Sequence, residues 1–290
     1  MKTYVLYNPL AGHGDSKQES AKLLESLEGE VLHIDITEIY DYRALLGPLD
    51  EQDRVILCGG DGTINRFVNA TEGIELKCDV HYYALGTGND FLKDLGLEVG
   101  AAPFSIKKYL QNLPVVEING EKHRFLNGIG FGIDGYCCEV GDKLKAAGEK
   151  NINYTGIAIK GLLFHYKPST ATVTVDGVTH TYKKAWIAAT MKGRYYGGGM
   201  MTAPAQDRLD EKGEVTLVLF YGKGRLKTLI AFPSIFEGRH VEKKSMVAVH
   251  SGKEITVRFE RPASLQIDGE TVLGVSEYRV RAGKEAAVAN

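Results

Sequence analysis

Three short stretches of the chain concentrate residues able to handle a phosphoryl group. The first is Gly59-Gly60-Asp61-Gly62-Thr63-Ile64-Asn65-Arg66. Glycine has no Cβ and tolerates φ > 0, so backbone N–H groups there can close on phosphate oxygens. Asp61 would repel a bare phosphate, which points to a bridging Mg²⁺ or to a proton that must be moved. The second is Gly86-Thr87-Gly88-Asn89-Asp90-Phe91, and the third is Asp268-Gly269-Glu270. A carboxylate within reach of a substrate hydroxyl can take its proton. Asp-Gly occurs also at 176–177, followed by Val178, where it reads as a turn alone. That hairpin is an internal control, and Glu270 is the feature it lacks.

These residues need elements to hold them. The apolar run Val55 to Cys58 reads as a buried parallel strand ending in the first glycine loop. Ile64, Phe67 and Val68 follow on one helical face, so the loop opens a helix whose positive dipole end adds to anion binding. Asp79 to Leu85 is a strand running into the second loop. Upstream, Tyr4 to Tyr7 is strand-like until Asn8-Pro9 breaks it. Asp15 or Ser16 can cap a helix through Leu27, Val31 to Ile36 alternates like a strand, and Tyr40 to Leu46 is a short helix before Gly47-Pro48. Alternating β and α predicts a parallel sheet with helices on both faces and ligands at the carboxyl ends of its strands. Asn8, Thr37 and the two glycine loops all follow such ends. Pro103 to Leu110 reads as a further helix and Val115 to Ile118 as a strand.

Beyond the hairpin signal Asn119-Gly120 the pattern becomes strand-rich. His123 to Leu126, Val173 to Tyr182 with its turn at Asp176-Gly177, Ala185 to Met191, Glu214 to Tyr221, Met246 to Val249, Glu254 to Phe259 and Ser264 to Ile267 read as strands. Tyr136 to Ala147 reads as a helix. Residues 151–166 are apolar around much of a helix and read as a core helix, or else as a wall for acyl chains. Arg194 to Met201 reads as an exposed glycine-rich loop. Gly130-Phe-Gly-Ile-Asp-Gly135 matches G-x-G-x-x-G by accident, because no acid ends a second strand about twenty residues on.

The chain has 290 residues, a formal net charge of −2 and no basic or acidic tail, which gives no support to nucleic-acid binding. No apolar run reaches the ~20 residues of a membrane-spanning helix. The N-terminus reads as a first strand, and Cys58, Cys78, Cys137 and Cys138 form neither a metal nor a disulfide pattern. These features read as a reduced, cytoplasmic protein.

Gly-Gly-Asp-Gly-Thr followed by Gly-Thr-x-Asn-Asp-Phe resembles the diacylglycerol-kinase catalytic domain and its bacterial lipid-kinase relatives. NAD kinases and phosphofructokinases share a loop of the first kind, but Asn-Asp-Phe points away from them. The resemblance runs from Asn8 to Glu270. It implies an α/β nucleotide-binding domain over about 1–122, onto which 274–290 packs back, and a mainly antiparallel β-sandwich lipid-substrate domain over 123–273. It further implies ATP and Mg²⁺, with nucleotide contacts from Asn8, Thr37, Gly59, Gly60, Asp61, Gly62, Thr63, Asn65, Arg66, Gly86, Thr87, Asn89 and Asp90. Glu270 is the implied proton acceptor, with Asp61 organising the phosphates. Asn127 to Gly135 resembles the Asn-x-x-Gly-x-Gly-Phe/Ile-Asp stretch of lipid kinases, in which Asp134 would face the acceptor, or else be a turn residue. In bacterial members an aspartate after Pro-x-Ala and flanking carbonyls hold a structural Mg²⁺. The match here is Asp210 with the carbonyls near Asp207 and Lys212, although two residues separate Asp210 from Gly213.

Arg66 stands where the family usually has glutamate. That departure keeps open a catalytically inactive nucleotide-binding regulatory module, beside a kinase of a soluble acceptor such as NAD. The reading that the motifs carry is transfer of the ATP γ-phosphoryl group to a lipid hydroxyl, diacylglycerol or a related lipid. Such a protein would be cytoplasmic, meet its lipid peripherally at a membrane surface, and could be a homodimer.

Overall fold

The structure, a computed structural model, describes residues 1–11, 14–86, 88–149 and 152–283. The chain divides into two compact units, Met1–Gln111 and Asn112–Asn290.

The first unit alternates β1 (Lys2–Tyr7), α1 (Ser16–Leu24), β2 (Glu30–Asp35), α2 (Tyr42–Leu46), β3 (Arg54–Gly59), α3 (Asp61–Ala70), β4 (Asp79–Ala84), α4 (Asp90–Asp94), β5 (Phe104–Ser105) and α5 (Lys107–Leu110). The sheet order is β2-β1-β3-β4-β5, parallel except for the antiparallel edge strand β5. Tyr7 pairs with both Asp35 and Cys58, and Gly59 pairs with Ala84. The four strands therefore end along one edge, and Asn8 and both glycine loops leave from it. The order reverses between β1 and β3, where open α/β sheets bind their ligands. Val5, Tyr7, Ile56 and Cys58 pack on one face with Leu23, Leu24 and Leu27. Helix α3 buries Ile64, Phe67 and Val68, the apolar face expected of it. The helix expected over 103–110 is instead a two-residue strand and one helical turn, because Phe104 and Ser105 pair with Tyr82 and His81.

The second unit contains β6 (Val115–Ile118), β7 (Glu121–Arg124), β8 (Gly128–Gly132), α6 (Ile133–Ala146), α7 (Tyr154–Lys160), β9 (Ser169–Val175), β10 (Val178–Ala185), β11 (Ile187–Met191), the short pair β12 (Tyr195–Tyr196) and β13 (Met200–Met201), β14 (Val215–Phe220), α8 (Arg225–Ala231), β15 (Val247–Gly252), β16 (Glu254–Ile267) and β17 (Glu270–Arg281). Its strands pair antiparallel in the order β15-β14-β11-β8-β16-β17-β6-β7, with β9 on the first half of β16 and β10 beyond it. The register of β16 shifts between Arg258 and Leu265. Its first half pairs with β9 and its second with β8. The sheet folds over at that break, and Phe131 of β8 stacks on Phe259 of β16 with centroids 4.0 Å apart. One core joins these strands, with Val173, Leu217, Val257 and Tyr278 fully buried, and a second gathers Ile187, Ala189, Val218 and Phe220 with Leu162 and Trp186.

Several expectations change here. The two strands expected at 254–259 and 264–267 are one bent strand. β17 was not anticipated: Leu273, Gly274 and Ser276 are exposed and dilute its pattern. Residues 274–281 pair with β16 and β6 inside the second unit. The strands β6 and β7 lie in that same sheet, so the division falls at residue 111 and not at 122. The loop at 194–201 is not simply exposed, since Tyr195, Tyr196 and Met200 are buried. Helix α7 buries Ala158, and the π-helical turn after it buries Leu162, while Phe164 stays 70 % exposed.

Candidate functional site

The two glycine loops of the first unit are built against each other. An added Cβ on Gly86 would lie 2.5 Å from the Gly60 Cα, and one on Gly59 would lie 2.2 Å from the Thr63 hydroxyl oxygen. None of Gly59, Gly60, Gly62, Gly86 and Gly88 has a positive φ, so close approach and not left-handed backbone requires glycine here. Gly62 and Gly88 differ from their neighbours: a Cβ on either would meet nothing within 4 Å. Gly62 sits in the first turn of α3, where backbone N–H groups have no intrahelical acceptor. The loops thus combine a packed glycine floor with an open helix start.

Polar contacts lock this arrangement. The Asp61 carboxylate accepts from the Asp90 N–H at 2.7 Å and the Phe91 N–H at 3.3 Å, capping α4 from the other loop. The Asp61 N–H donates to the Gly88 carbonyl at 3.3 Å. The Asn8 amide donates to the Thr63 hydroxyl at 2.9 Å, and the Ser16 hydroxyl donates to the Asn8 carbonyl. The Asn89 amide donates to the Gly86 carbonyl. Tyr82, not anticipated from sequence, places its hydroxyl 3.0 Å from the Gly59 carbonyl and 3.2 Å from the Asn89 side-chain oxygen. Burial pushes its phenol well up, so it remains a proton donor. Its place in an alternating strand four residues before Gly86 was the available signal.

The structure therefore brings together Asn8, Gly59, Gly60, Asp61, Thr63, Gly86, Asn89 and Asp90. Asn65 is buried on α3 and accepts from Asn69. Arg66 is exposed and lines a groove of about 460 Å³ with Ile36, Tyr40, Tyr42 and Arg43. Thr37 is exposed, its hydroxyl donating to Asp35 at 2.6 Å. Thr87 lies outside the described residues.

In the second unit, Asp134 is the second residue of α6 and is 9 % exposed. The Tyr196 hydroxyl donates to its Oδ2 at 2.8 Å, while Oδ1 has no protein partner. Burial pushes its carboxyl up to about 6, against the opposing pull of the Tyr196 bond. A Cβ at Gly130 would overlap Oδ2 at 1.5 Å, so the glycine of the sequence motif makes room for this acid. Gly132, at φ +123°, starts the helix where a Cβ would lie 2.3 Å from the Trp186 carbonyl oxygen.

Asp268 and Gly269 form the two-residue turn between β16 and β17, with φ of 46° and 95°. The Asp268 carboxylate accepts from three successive N–H groups, those of Leu126, Asn127 and Gly128, at 2.5, 2.8 and 3.0 Å. The control hairpin behaves likewise. Asp176 has φ 45°, and its carboxylate accepts from the Lys253 and Glu254 N–H groups at 3.0 and 2.8 Å. Asp-Gly is thus structural at both places, and Glu270 alone distinguishes them. Glu270 is exposed at the start of β17. The Cys138 thiol is pushed up to about 12, mainly by burial and then by the charges of Asp134, Asp142 and Glu270. Thr271, the residue after Glu270, donates its hydroxyl to Asp142 of α6 at 2.6 Å, so Glu270 begins its strand beside the helix that carries Asp134.

The expected metal loop satisfies itself. The Asp210 carboxylate accepts from the Glu214 N–H at 3.1 Å, and the Asp207 carbonyl accepts from the Asp210 N–H and the Gln206 amide. These bonds and Lys212 hold the Asp210 carboxyl below its usual range, although partial burial opposes them. Among the described residues no three His, Cys, Asp or Glu side chains converge on a metal. The same loop sends buried Arg208 to the Leu126 carbonyl at 2.6 Å and to the Asn127 side chain. Nothing in the sequence pattern marked Arg208.

Residues 2–115 match the diacylglycerol kinase catalytic domain, and residues 127–283 match the YegS C-terminal NAD kinase beta sandwich-like domain. The chain belongs to the diacylglycerol kinase catalytic-domain family. A diacylglycerol kinase of Mycobacterium tuberculosis is 26% identical over 284 residues, covering 93% of this chain and 88% of its own. A diacylglycerol kinase of Bacillus subtilis is 24% identical over 279 residues, covering 92% and 88%. A crystal structure of a diacylglycerol kinase from Bacillus anthracis superposes with a TM-score of 0.65 at 22% identity, covering 97% of this chain and 94% of that one. That likeness establishes the fold. The family match makes this chain a member of a kinase family.

Two outcomes test the geometry. Gly86→Ala is expected to destabilise the first unit by roughly 1–3 kcal/mol, the usual scale of overpacking, whereas Gly62→Val is expected to melt within about 1 kcal/mol of wild type. Urea titrations decide between them. For Asp134, the carboxyl titrates near 6 when folded against 3.8 ordinarily. The folded state binds the proton more tightly, so the contribution is most favourable below pH 3.8 and is lost as pH rises through about 6. Asp134→Asn should therefore gain stability relative to wild type as pH rises through that window, which melting temperatures read directly; a constant difference would refute the assignment.

Proposed function

We propose that this protein is an ATP-dependent lipid kinase that transfers the γ-phosphoryl group to a lipid hydroxyl, with diacylglycerol or a close relative as acceptor. The observation that carries the nucleotide half is the edge between β1 and β3. There a glycine floor fixed by the contact of Gly60 with Gly86 leads into the open first turn of α3 at Gly62. Backbone N–H groups at a helix start are suited to phosphate oxygens. Asn8, Gly59 to Arg66, Gly86, Asn89 and Asp90 form or support this nucleotide site, with Thr37 and Thr87 as flanking contacts. The names of relatives that cover most of the chain supply the lipid half. Mg²⁺ bound with ATP would neutralise phosphate charge.

Phosphoryl transfer depends on positioning and charge stabilisation more than on covalent help. Asp61 contributes by fixing the second loop against the first. Glu270 accepts the proton of the lipid hydroxyl as its oxygen bonds to the γ-phosphorus. The bond from that phosphorus to the bridging oxygen breaks, and ADP leaves with the electron pair. The rigid Asp268-Gly269 turn holds Glu270 at a fixed place, because three N–H groups anchor Asp268. Asp134, whose Oδ1 has no protein partner, is the acceptor-facing acid in the same unit. Protonated below about pH 6, it can donate to a lipid oxygen; ionised, it can accept from one.

The protein meets its lipid from the aqueous side. No helix among the described residues is long and apolar enough to cross a membrane.

Gly62→Val should lose most ATP affinity while remaining folded, because the added side chain fills the space open at the helix start; unchanged affinity in equilibrium dialysis would sink the nucleotide assignment. With dispersed diacylglycerol, Glu270→Gln should lower kcat by ~10²–10⁴-fold, the usual span for a lost general base, with little rise in KM. Val178→Glu, which creates Asp-Gly-Glu at the control hairpin, should leave kcat unchanged. Near-normal turnover by Glu270→Gln would return the role of base to Asp134 or Asp61.

A further inference from the structure

Leu126 and Asn127 lead into β8, which starts at Gly128. Every backbone polar group of these three residues is taken. Their N–H groups donate to the Asp268 carboxylate at 2.5, 2.8 and 3.0 Å. The Gly128 carbonyl accepts from the Asp268 N–H at 3.0 Å, and the Asn127 carbonyl accepts from the Lys192 and Gly193 N–H groups at 2.9 and 3.0 Å. The remaining carbonyl, that of Leu126, accepts from Arg208 at 2.6 Å. The other arm of the same guanidinium donates to the Asn127 side-chain oxygen. The N–H groups of the segment thus meet an anion, and the Leu126 carbonyl meets a cation. Asp268 and Arg208 grip one stretch of peptide, the first by its donors and the second by its acceptors.

Arg208 is 7 % exposed, and a guanidinium taken out of water needs fixed acceptors to offset its lost hydration. The loop that carries it is braced separately. The Gln206 amide donates to the Asp207 and Glu214 carbonyls, both at 3.1 Å. The Thr216 hydroxyl donates to the Gln206 side-chain oxygen at 2.6 Å. Gln206 and Thr216 are both buried, and Thr216 belongs to β14, so the base of Arg208 is tied to the sheet. A planar fork held at its base fixes both of its acceptors, whereas an ammonium on a flexible stem is a point charge without that geometry. The consequence falls on the turn that Asp268 begins. The Gly269 N–H donates to the Gln266 side-chain oxygen at 2.7 Å and completes that turn. Glu270 is the next residue and is exposed, so its place follows from its neighbours in the chain.

We infer that Arg208 is a positioning residue for phosphoryl transfer. By holding the Leu126 carbonyl and the Asn127 side chain it fixes the segment that anchors Asp268, and through that turn the carboxylate of Glu270. The inference deepens the proposed reaction and rests on Glu270 as its base. The hold on the segment is read without turnover, so the two can fail separately.

The test compares Arg208→Lys with wild type, since lysine keeps the buried charge and loses the fork. Hydrogen exchange of the Leu126, Asn127 and Gly128 amides should quicken about tenfold or more, with the amides of β14 protected as in wild type. With dispersed diacylglycerol, kcat should fall ~10–10²-fold, the scale of a displaced reacting group, while KM for ATP and for lipid stays within about twofold. On a Glu270→Gln background the same substitution should cost less than about twofold, because the group that Arg208 places is gone. Asn127→Ala, which removes one acceptor and leaves Arg208 in place, should change exchange and kcat in the same direction and by less, and it carries the test should Arg208→Lys fail to fold. Arg225→Lys alters a guanidinium that donates to the Leu162 carbonyl at 2.7 Å, and should leave both readings unchanged. Wild-type exchange at 126–128 overturns the inference whatever the kinetics. A loss of kcat that persists in full on the Glu270→Gln background overturns it too, since Arg208 would then act on another part of the site. If Glu270→Gln alone turns over normally, the base assignment falls and the catalytic role of Arg208 falls with it, even where exchange shows Arg208 holding the segment.

Discussion

The contact of two peptide backbones at Gly60 and Gly86 is the constraint on which the first unit's chemistry rests. A Cβ on Gly86 would come within 2.5 Å of the opposing Cα, so two loops from adjacent strands can nest only if side chains are absent. Once nested, the loops bond through Asp61 to the amides of Asp90 and Phe91, and through Tyr82 to Gly59 and Asn89. The carboxylate that reads from sequence as a metal or proton carrier is engaged in holding the second loop in place. Positioning of this kind is much of what an enzyme of phosphoryl transfer needs from its protein.

Much of this was legible in the chain itself. The strands before Asn8 and Gly60 declare themselves by buried apolar runs and the one before Gly86 by alternation, and their common edge follows from the βα alternation. The apolar face of α3 is likewise plain. What was not legible depends on partners distant in sequence. Why Gly86 must be glycine can be seen only against Gly60, and why Gly130 must be only against Asp134. Arg208 lies in an acidic, turn-like segment, yet it is buried because Leu126 and Asn127 accept its guanidinium from 81 residues or more away. The strand β17 escaped because its exposed face and its pairing on a bend both blur the period of two.

The two Asp-Gly turns show how far local reading reaches. Each aspartate takes a left-handed conformation and each carboxylate collects backbone N–H groups from another strand. A functional reading cannot lean on the dipeptide. It rests on Glu270, whose strand begins beside α6, the helix that carries Asp134. Asp134 is buried, and desolvation raises its carboxyl, whereas Glu270 is exposed at the start of its strand.

The pairing of β17 with β6 bears on how the chain is made. Val280 lies opposite Val116, and Asp268 grips the amides of 126–128 from 140 residues or more downstream. A ribosome delivers β6 and β7 long before the strand that covers them. The first unit, closed within its own 111 residues, can complete its sheet while synthesis continues. The second cannot close until Arg281 has emerged. In the interval it must carry an open sheet edge, where association with other nascent chains is the competing fate.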